Sequence, residues 1–195
     1  MNLPFAESSE QNKSVIFDAI KPFLQGDVLE IGSGTGQHAV FFAGQLPQLN
    51  WQTSEVESNL PGIEAWIRNS GLTNLPPPIA LDVLGRWPER QFDTVYSANC
   101  FHIMGEAAVA KCIEGVGACL KEDGFLAVYG PFNYAGNFTS ESNARFDAML
   151  KARDPESGIK DFEWLDQLAV KRDLYLLEDI AMPENNRSLI WQKRT

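Results

Sequence analysis

Cysteine is scarce in this chain of 195 residues: there are three, Cys100, Cys112 and Cys119, and no two stand in a Cys-x-x-Cys pair. A disulfide framework is excluded, the thiols are expected to be reduced, and no metal site is expected. Long apolar runs are missing too. None approaches the ~20 residues that cross a bilayer, so no membrane span is expected. The first residues, Met1 to Glu7, lack the basic start and apolar stretch of a secretory signal, which makes the cytoplasm the expected location. Positive charge is in deficit, with 16 Lys and Arg against 26 Asp and Glu and a net charge of -10. Attraction to phosphate backbones and anionic lipid is thereby opposed, so neither nucleic acid nor a membrane is an expected partner. Blocks of like charge and biased repeats are also absent, which argues against disordered and fibrous chains. What is present, 44% apolar and 22% charged residues, describes one globular domain over 1–195 with a sizeable core.

Strand-like and helical-period segments alternate along that domain. Val15, Ile16, Ala19, Ile20 and Phe23 recur at helical spacing after Ser8-Ser9-Glu10, and Pro22 and Gly26 mark the end, so residues 1–25 are expected to form an N-terminal capping helix. Strands are expected at Val28–Ile31, Trp51–Glu55, Ile79–Leu81, Phe92–Ser97 and Phe125–Tyr129. Helices are expected through Ala39 and Leu46, through Ile63 and Ile67, and at Ala107–Leu120, where Val109, Cys112, Ile113, Val116, Cys119 and Leu120 form one apolar stripe. This alternation argues for an α/β chain with a parallel sheet covered by helices on both faces. Beyond Gly130-Pro131 the pattern loosens and then resumes as helices around Phe146 and Leu165, so 130–172 reads as a helical insert or lid. A hairpin of Leu174–Ile180 and Leu189–Gln192 closes the chain.

The most informative segment is Val28-Leu29-Glu30-Ile31-Gly32-Ser33-Gly34-Thr35-Gly36. Three alternate glycines after an apolar strand allow a sharp turn and a close approach of backbone to a polar ligand. Gly34-Thr35-Gly36-Gln37-His38-Ala39 also satisfies a dinucleotide template, so a nicotinamide-dependent oxidoreductase competes. Glu30 bears on the choice. A carboxylate inside an apolar strand suits a cationic ligand such as S-adenosylmethionine better than a pyrophosphate. Glu55 and Asp82 end the next two strands, where carboxylates can accept hydrogen bonds from ribose hydroxyls and from an adenine amino group.

Those residues resemble the first motif of class I S-adenosylmethionine-dependent methyltransferases, an acidic residue followed by G-x-G-x-G. Further stretches, Tyr129-Gly130-Pro131-Phe132, Ser140-Glu141-Ser142-Asn143, Arg153-Asp154-Pro155, Gly158-Ile159 and Met182-Pro183-Glu184-Asn185-Asn186, are similar to the DUF938 or methyltransferase-like 26 family over nearly the whole chain. The resemblance implies a Rossmann-like, doubly wound α/β sheet of seven strands with the last strand antiparallel. It implies S-adenosylmethionine as cofactor and S-adenosylhomocysteine as product. Implied cofactor contacts are Glu30, Gly32, Ser33, Gly34, Thr35, Gly36, Glu55, Asp82, Val83 and Asn99. Members often begin with Glu-Arg-Asn-Lys, whereas this chain has Glu10-Gln11-Asn12-Lys13; Asn12 stays a candidate substrate contact.

Methyl transfer needs alignment and exclusion of water, and a general base where the acceptor must lose a proton. His102, after the fourth strand, is the candidate base; the alternative is a neutral packed imidazole. Asn99-Cys100-Phe101-His102 lacks the two prolines that follow this position in methyltransferases acting on nucleobase or glutamine nitrogens, so it gives that acceptor class no support. His38 and Cys100 are not expected to be catalytic. Candidate acceptor contacts are Phe101, His102, Tyr129, Phe132, Asn133, Asn185 and Asn186, with a small molecule as the expected acceptor. A protein that binds the cofactor without turnover is a further alternative.

Overall fold

Seven strands form one mixed sheet in the computed structural model of the chain, which describes residues 3–194. In chain order the elements are α1 (Glu7–Ile20), β1 (Asp27–Ile31), α2 (Gln37–Gln45), β2 (Asn50–Glu55), α3 (Leu60–Ser70), β3 (Ile79–Ala80), β4 (Phe92–Ala98), α4 (Glu106–Cys119) and β5 (Leu120–Gly130). They are followed by β6 (Phe132–Asn133), α5 (Glu141–Arg153), β7 (Lys160–Asp161), α6 (Phe162–Val170), β8 (Leu174–Ala181) and β9 (Arg187–Lys193). The sheet order is β3-β2-β1-β4-β5-β9-β8, and β9 runs antiparallel to both its neighbours. This is the expected Rossmann-like α/β sheet. The strand order reverses direction between β1 and β4, and in such sheets ligands bind outside the carboxyl ends of the strands at that point.

The sheet carries a separate core on each face. Ile16, Ile20, Phe42, Trp51, Tyr96 and Ile190 are buried on one side, and Val109, Ile113, Val116, Leu126, Leu165 and Trp191 on the other. Burial on both faces is why the second half of β5, Phe125–Tyr129, reads as a continuous apolar run rather than as an alternation. On α4 the predicted stripe is buried from Val109 to Cys119, while Leu120 already belongs to β5.

Three features differ in detail from the expectation. α1 stops at Ile20, and Lys21–Phe23 continue as one tight 3-10 turn containing Pro22, whose missing amide and fixed φ end a regular helix. β6 and β7 pair Phe132 with Lys160 and Asn133 with Asp161 in a second two-stranded sheet, too short to leave a period in the sequence. Within 130–172, α6 buries Leu165 and Ala169 in the core beside α4. α5 instead lies over the carboxyl edge, where Phe146 packs edge-on to His102. Among the described residues no helix is long and apolar enough to cross a membrane.

Candidate functional site

The turn after β1 is built on left-handed backbone. Gly32, Gly34 and Gly36 have φ of +69°, +55° and +88°, a region that costs a side-chain-bearing residue about 1–2 kcal/mol. Gly32 is needed for packing as well, because a Cβ there would lie 2.3 Å from the Cys100 Sγ. At Gly34 a Cβ would meet no protein atom within 4 Å. It would project into open space bordering a cavity of about 190 Å³ over the ends of β1, β2 and β4. Ser33 and Gly36 hold the turn, their amides donating to Ser54 and Ser33 carbonyls at 3.0 and 2.8 Å. Thr35 donates to the Gln37 side chain at 2.9 Å and is not part of this cavity's lining.

Glu30 forms the floor of that cavity and is 2% exposed. Its Oε2 accepts hydrogen bonds from Trp51 Nε1 at 3.1 Å and Ser33 Oγ at 3.0 Å. Burial pushes its carboxyl up to about 7; the two hydrogen bonds oppose that rise, and the charge of Glu55 adds to it. Glu55, half-buried at the end of β2, borders this cavity and a second one of about 230 Å³. Asp82 and Val83 line the second cavity with Ile31, Leu81 and Met104, making a mostly apolar slot with two carboxylates, Glu55 and Asp82, at its edge. Asp82 Oδ1 accepts the Leu84 amide at 2.9 Å, which fixes the side chain in a local turn. The three acidic residues thus border two cavities that share Gly32, Glu55, Cys100 and Ile103 as walls. Burial raises the Cys100 thiol to about 12, so it is no nucleophile near neutral pH.

Beside this trough lies a third cavity, of about 680 Å³, which shares Ser8 and Asn99 with the first. Asn99 adopts φ +58° immediately after β4 and donates its amide to the Tyr129 carbonyl at 2.9 Å. The chain then turns, so His102 comes under α5, its ring 5.2 Å from that of Phe146 at 70°. Among the described residues no group hydrogen-bonds the His102 imidazole. Burial, helped by the charge of Lys160, pushes it down to about 4. It is therefore neutral at pH 7, with a free lone pair at a cavity wall.

Opposite, His38 and Tyr96 stand behind three of the candidate acceptor contacts, Asn12, Tyr129 and Asn186. His38 is wedged between Tyr96, whose hydroxyl lies 3.2 Å from Nδ1, and Asn12, whose Oδ1 lies 2.8 Å from Nε2. Burial pushes His38 down to about 4, so it is neutral and Nε2–H donates to Asn12 while Nδ1 accepts from Tyr96. Asn12 and Asn186 line the same cavity as Tyr129, whose own pKa is raised by burial. The cavity wall on this side is thus held from four elements: α1, α2, β5 and the turn between β8 and β9.

Not every candidate gathers here. Phe101 and Phe132 are buried in the apolar core and line none of the three cavities. Asn133 donates to the Ile159 carbonyl at 3.5 Å in the small second sheet, away from the cavity. Asn185 reaches it indirectly, its carbonyl accepting from Asn143 Nδ2 at 3.2 Å. Ser8, Gln11, Ser142, Asn143, Phe146 and Glu184 line the cavity without having been singled out. A signal existed for the first two. Ser8, Gln11, Asn12 and Val15 recur at i, i+3, i+4 and i+7, a polar stripe that the apolar pattern of α1 obscured.

Comparison with known proteins agrees with the fold. The family described as "Protein of unknown function (DUF938)" matches residues 3–193. Similar solved structures include an O-methyltransferase family protein from Burkholderia thailandensis, 15% identical with a TM-score of 0.86 over 96% of this chain and 57% of that one. Human N-acetylserotonin methyltransferase, solved in complex with SAM, is 12% identical with a TM-score of 0.83 over 97% of this chain and 53% of that one. An O-methyltransferase family 2 protein from Planctomyces limnophilus, in complex with apigenin, is 15% identical with a TM-score of 0.81 over 95% and 60%. The chain therefore spans little more than half the length of these structures.

Proposed function

The chain belongs to the DUF938 family, and from that premise we propose that it is an S-adenosylmethionine-dependent methyltransferase acting on a small-molecule hydroxyl, in keeping with its resemblance to methyltransferase-like 26 proteins. One observation carries the reading: a trough bordered by Glu30, Glu55 and Asp82 shares Ser8 and Asn99 with a cavity that holds an unpaired, neutral His102.

The residues fit the cofactor. Glu30 is a buried carboxyl poised near neutrality, so a cationic ligand would draw it into its charged form, whereas the pyrophosphate of a dinucleotide would be repelled. Gly34 leaves room for a ligand against backbone. Glu55 can take ribose hydroxyls, and the slot of Val83 and Asp82 suits a flat base with a polar edge. When bound, S-adenosylmethionine would supply an activated sulfonium methyl group to the acceptor oxygen and would leave as the thioether S-adenosylhomocysteine. His102 takes the hydroxyl proton on its imidazole. Asn12, Tyr129 and Asn186 orient the acceptor, and α1 and α5 cover the two compartments and exclude water.

Two outcomes test the cofactor half. S-adenosylhomocysteine at 100 times its Kd should add about 2.7 kcal/mol and raise Tm by roughly 5–10 °C, while NAD should not. Gly34→Val should fold yet bind S-adenosylhomocysteine at least about tenfold more weakly in calorimetry, because its branched side chain fills the open space. Unchanged affinity in that variant would remove the trough as cofactor site. The catalytic half is tested by methyl-labelled S-adenosylmethionine and a small-molecule cell extract. Tight cofactor binding with no labelled product would reduce the protein to a binder.

A further inference from the structure

The larger cavity is walled by amides and holds no cation. Asn12, Asn99, Asn143 and Asn186 line it, and no Lys or Arg does among the described residues. Its one charged lining side chain is the exposed carboxylate of Glu184. Neither histidine near it offers positive charge at neutral pH, since burial holds both His38 and His102 down at about 4. Lys160 lies near His102 but is 5% exposed, donates to the Gly158 carbonyl at 2.8 Å and is not part of the wall.

The amides are held in place. Asn143 is 5% exposed, and its Nδ2 donates to Thr139 Oγ1 at 2.9 Å and to the Asn185 carbonyl at 3.2 Å. Its Oδ1 and the whole side-chain amide of Asn99 have no partner among the described residues. Three of the six non-glycine residues with positive φ, Asn99, Glu184 and Asn185, stand at or next to this wall. Backbone in that region persists where surrounding structure enforces it, and it clusters where ligands are gripped.

An amide presents one donor face and one acceptor, which matches a hydroxyl or a carboxamide and not a second charge. An anion entering here would lose its hydration and find a carboxylate at the mouth, in a chain of net charge -10, and a cation would give up its hydration for an exposed, solvent-screened carboxylate only. Resting on the reading of the trough as a cofactor site, we propose that the acceptor is an uncharged, hydroxyl-bearing small molecule, selected over carboxylated, phosphorylated and cationic analogues by Asn12, Asn99, Asn143 and Asn186. A cavity of about 680 Å³ suits a drug-sized molecule of this kind.

The test uses three phenols that differ in charge: 4-hydroxybenzamide, 4-hydroxybenzoate and tyramine. Binding of each to the full chain, saturated with S-adenosylhomocysteine, is followed by ligand-observed NMR and calorimetry. The amide should bind at least about tenfold more tightly than either charged partner. Asn143→Leu should erase most of that preference, and Ser142→Lys, which brings a cation to the exposed start of α5, should tighten 4-hydroxybenzoate several-fold. Equal or tighter binding of 4-hydroxybenzoate or tyramine by the unaltered protein overturns the proposal, as does binding of none of the three. Calorimetry with S-adenosylhomocysteine alone, run first, separates the two levels. Failure there removes the methyltransferase reading, whereas tight binding there without discrimination among the phenols removes this inference alone.

Discussion

His102→Ala is expected to lower turnover about 10²- to 10⁴-fold while leaving the affinity for S-adenosylhomocysteine within about twofold of the parent. The asymmetry follows from the geometry, because His102 lines the acceptor cavity and neither compartment of the trough. A packing role alone would show as lost stability, since the ring is 8% exposed and meets Phe146 edge-on. His102→Gln, which keeps most of the volume and a polar end, separates the two. A base predicts that Gln is nearly as inactive as Ala; a packing residue predicts that it restores the rate. Turnover preserved in both variants would rule the base out. The pH dependence carries the same information. With the imidazole held down at about 4, the base is already free at pH 6, and the rate should fall only as pH drops towards 4. Stability falls over an overlapping range. Both histidines have folded-state pKa values below the unfolded value of about 6.5, so the stability they contribute is present above that value and is lost as pH falls towards 4. Rate measurements therefore belong above pH 5, with folding monitored by circular dichroism.

Glu30→Gln should move stability and cofactor affinity in opposite directions. Burial holds the Glu30 carboxyl near 7, against a reference of 4.5, so the native protein keeps its proton where the unfolded chain has released it. The ligand-free protein consequently loses stability as pH rises from 4.5 to 7, by roughly 3 kcal/mol from this group alone. Glutamine is isosteric and its carbonyl can still accept from Trp51 and Ser33. The variant should therefore be more stable than the parent at pH 8, by several degrees in Tm, and no more stable at pH 4. Cofactor binding should suffer, because the charge that answers the α-ammonium shared by S-adenosylmethionine and S-adenosylhomocysteine is gone. In the parent, affinity for S-adenosylhomocysteine should weaken progressively as pH falls from 7 to 5, up to about 50-fold if only the carboxylate form binds. The variant should be weak and nearly independent of pH. Calorimetry at pH 5, 6, 7 and 8 on both proteins checks this. An unaltered affinity at pH 8 would show that Glu30 does not face the ligand's charge.

A buried carboxylate that weakens the empty fold is a local conflict, and such conflicts are where sequence patterns point most clearly to function. Glu30 interrupts Val28-Leu29-Glu30-Ile31 and is visible for that reason. The same holds for the glycine turn, whose backbone geometry is fixed within five residues, for Glu55, which ends β2, and for Asp82, two residues beyond the end of β3. His102 could be named as a candidate, but its neutrality and lack of a partner depend on α5, more than 40 residues further on. Of the amide wall, Asn12, Asn99 and Asn186 were candidates from the sequence, whereas Asn143 and the gathering of all four in one cavity were not legible there. Asn12, His38, Tyr129 and Asn186 meet from four elements, and Asn143 arrives on α5. Phe101 and Phe132 show the converse, since their aromatic character drew attention to the loops although burial of apolar area is what places them in the core.

Period and local backbone are therefore enough to carry the alternation of strands and helices, the terminal hairpin, the left-handed glycine turn and the acidic residues beside it. Tertiary structure alone decided which polar side chains share a cavity, that both histidines stay neutral, and that the acceptor compartment carries amides and no cation. The physical reason is the range of the interactions. Hydrophobic period and turn sterics act between residues a few positions apart, whereas desolvation and hydrogen bonding between side chains depend on neighbours that only the packed sheet and its covering helices bring together.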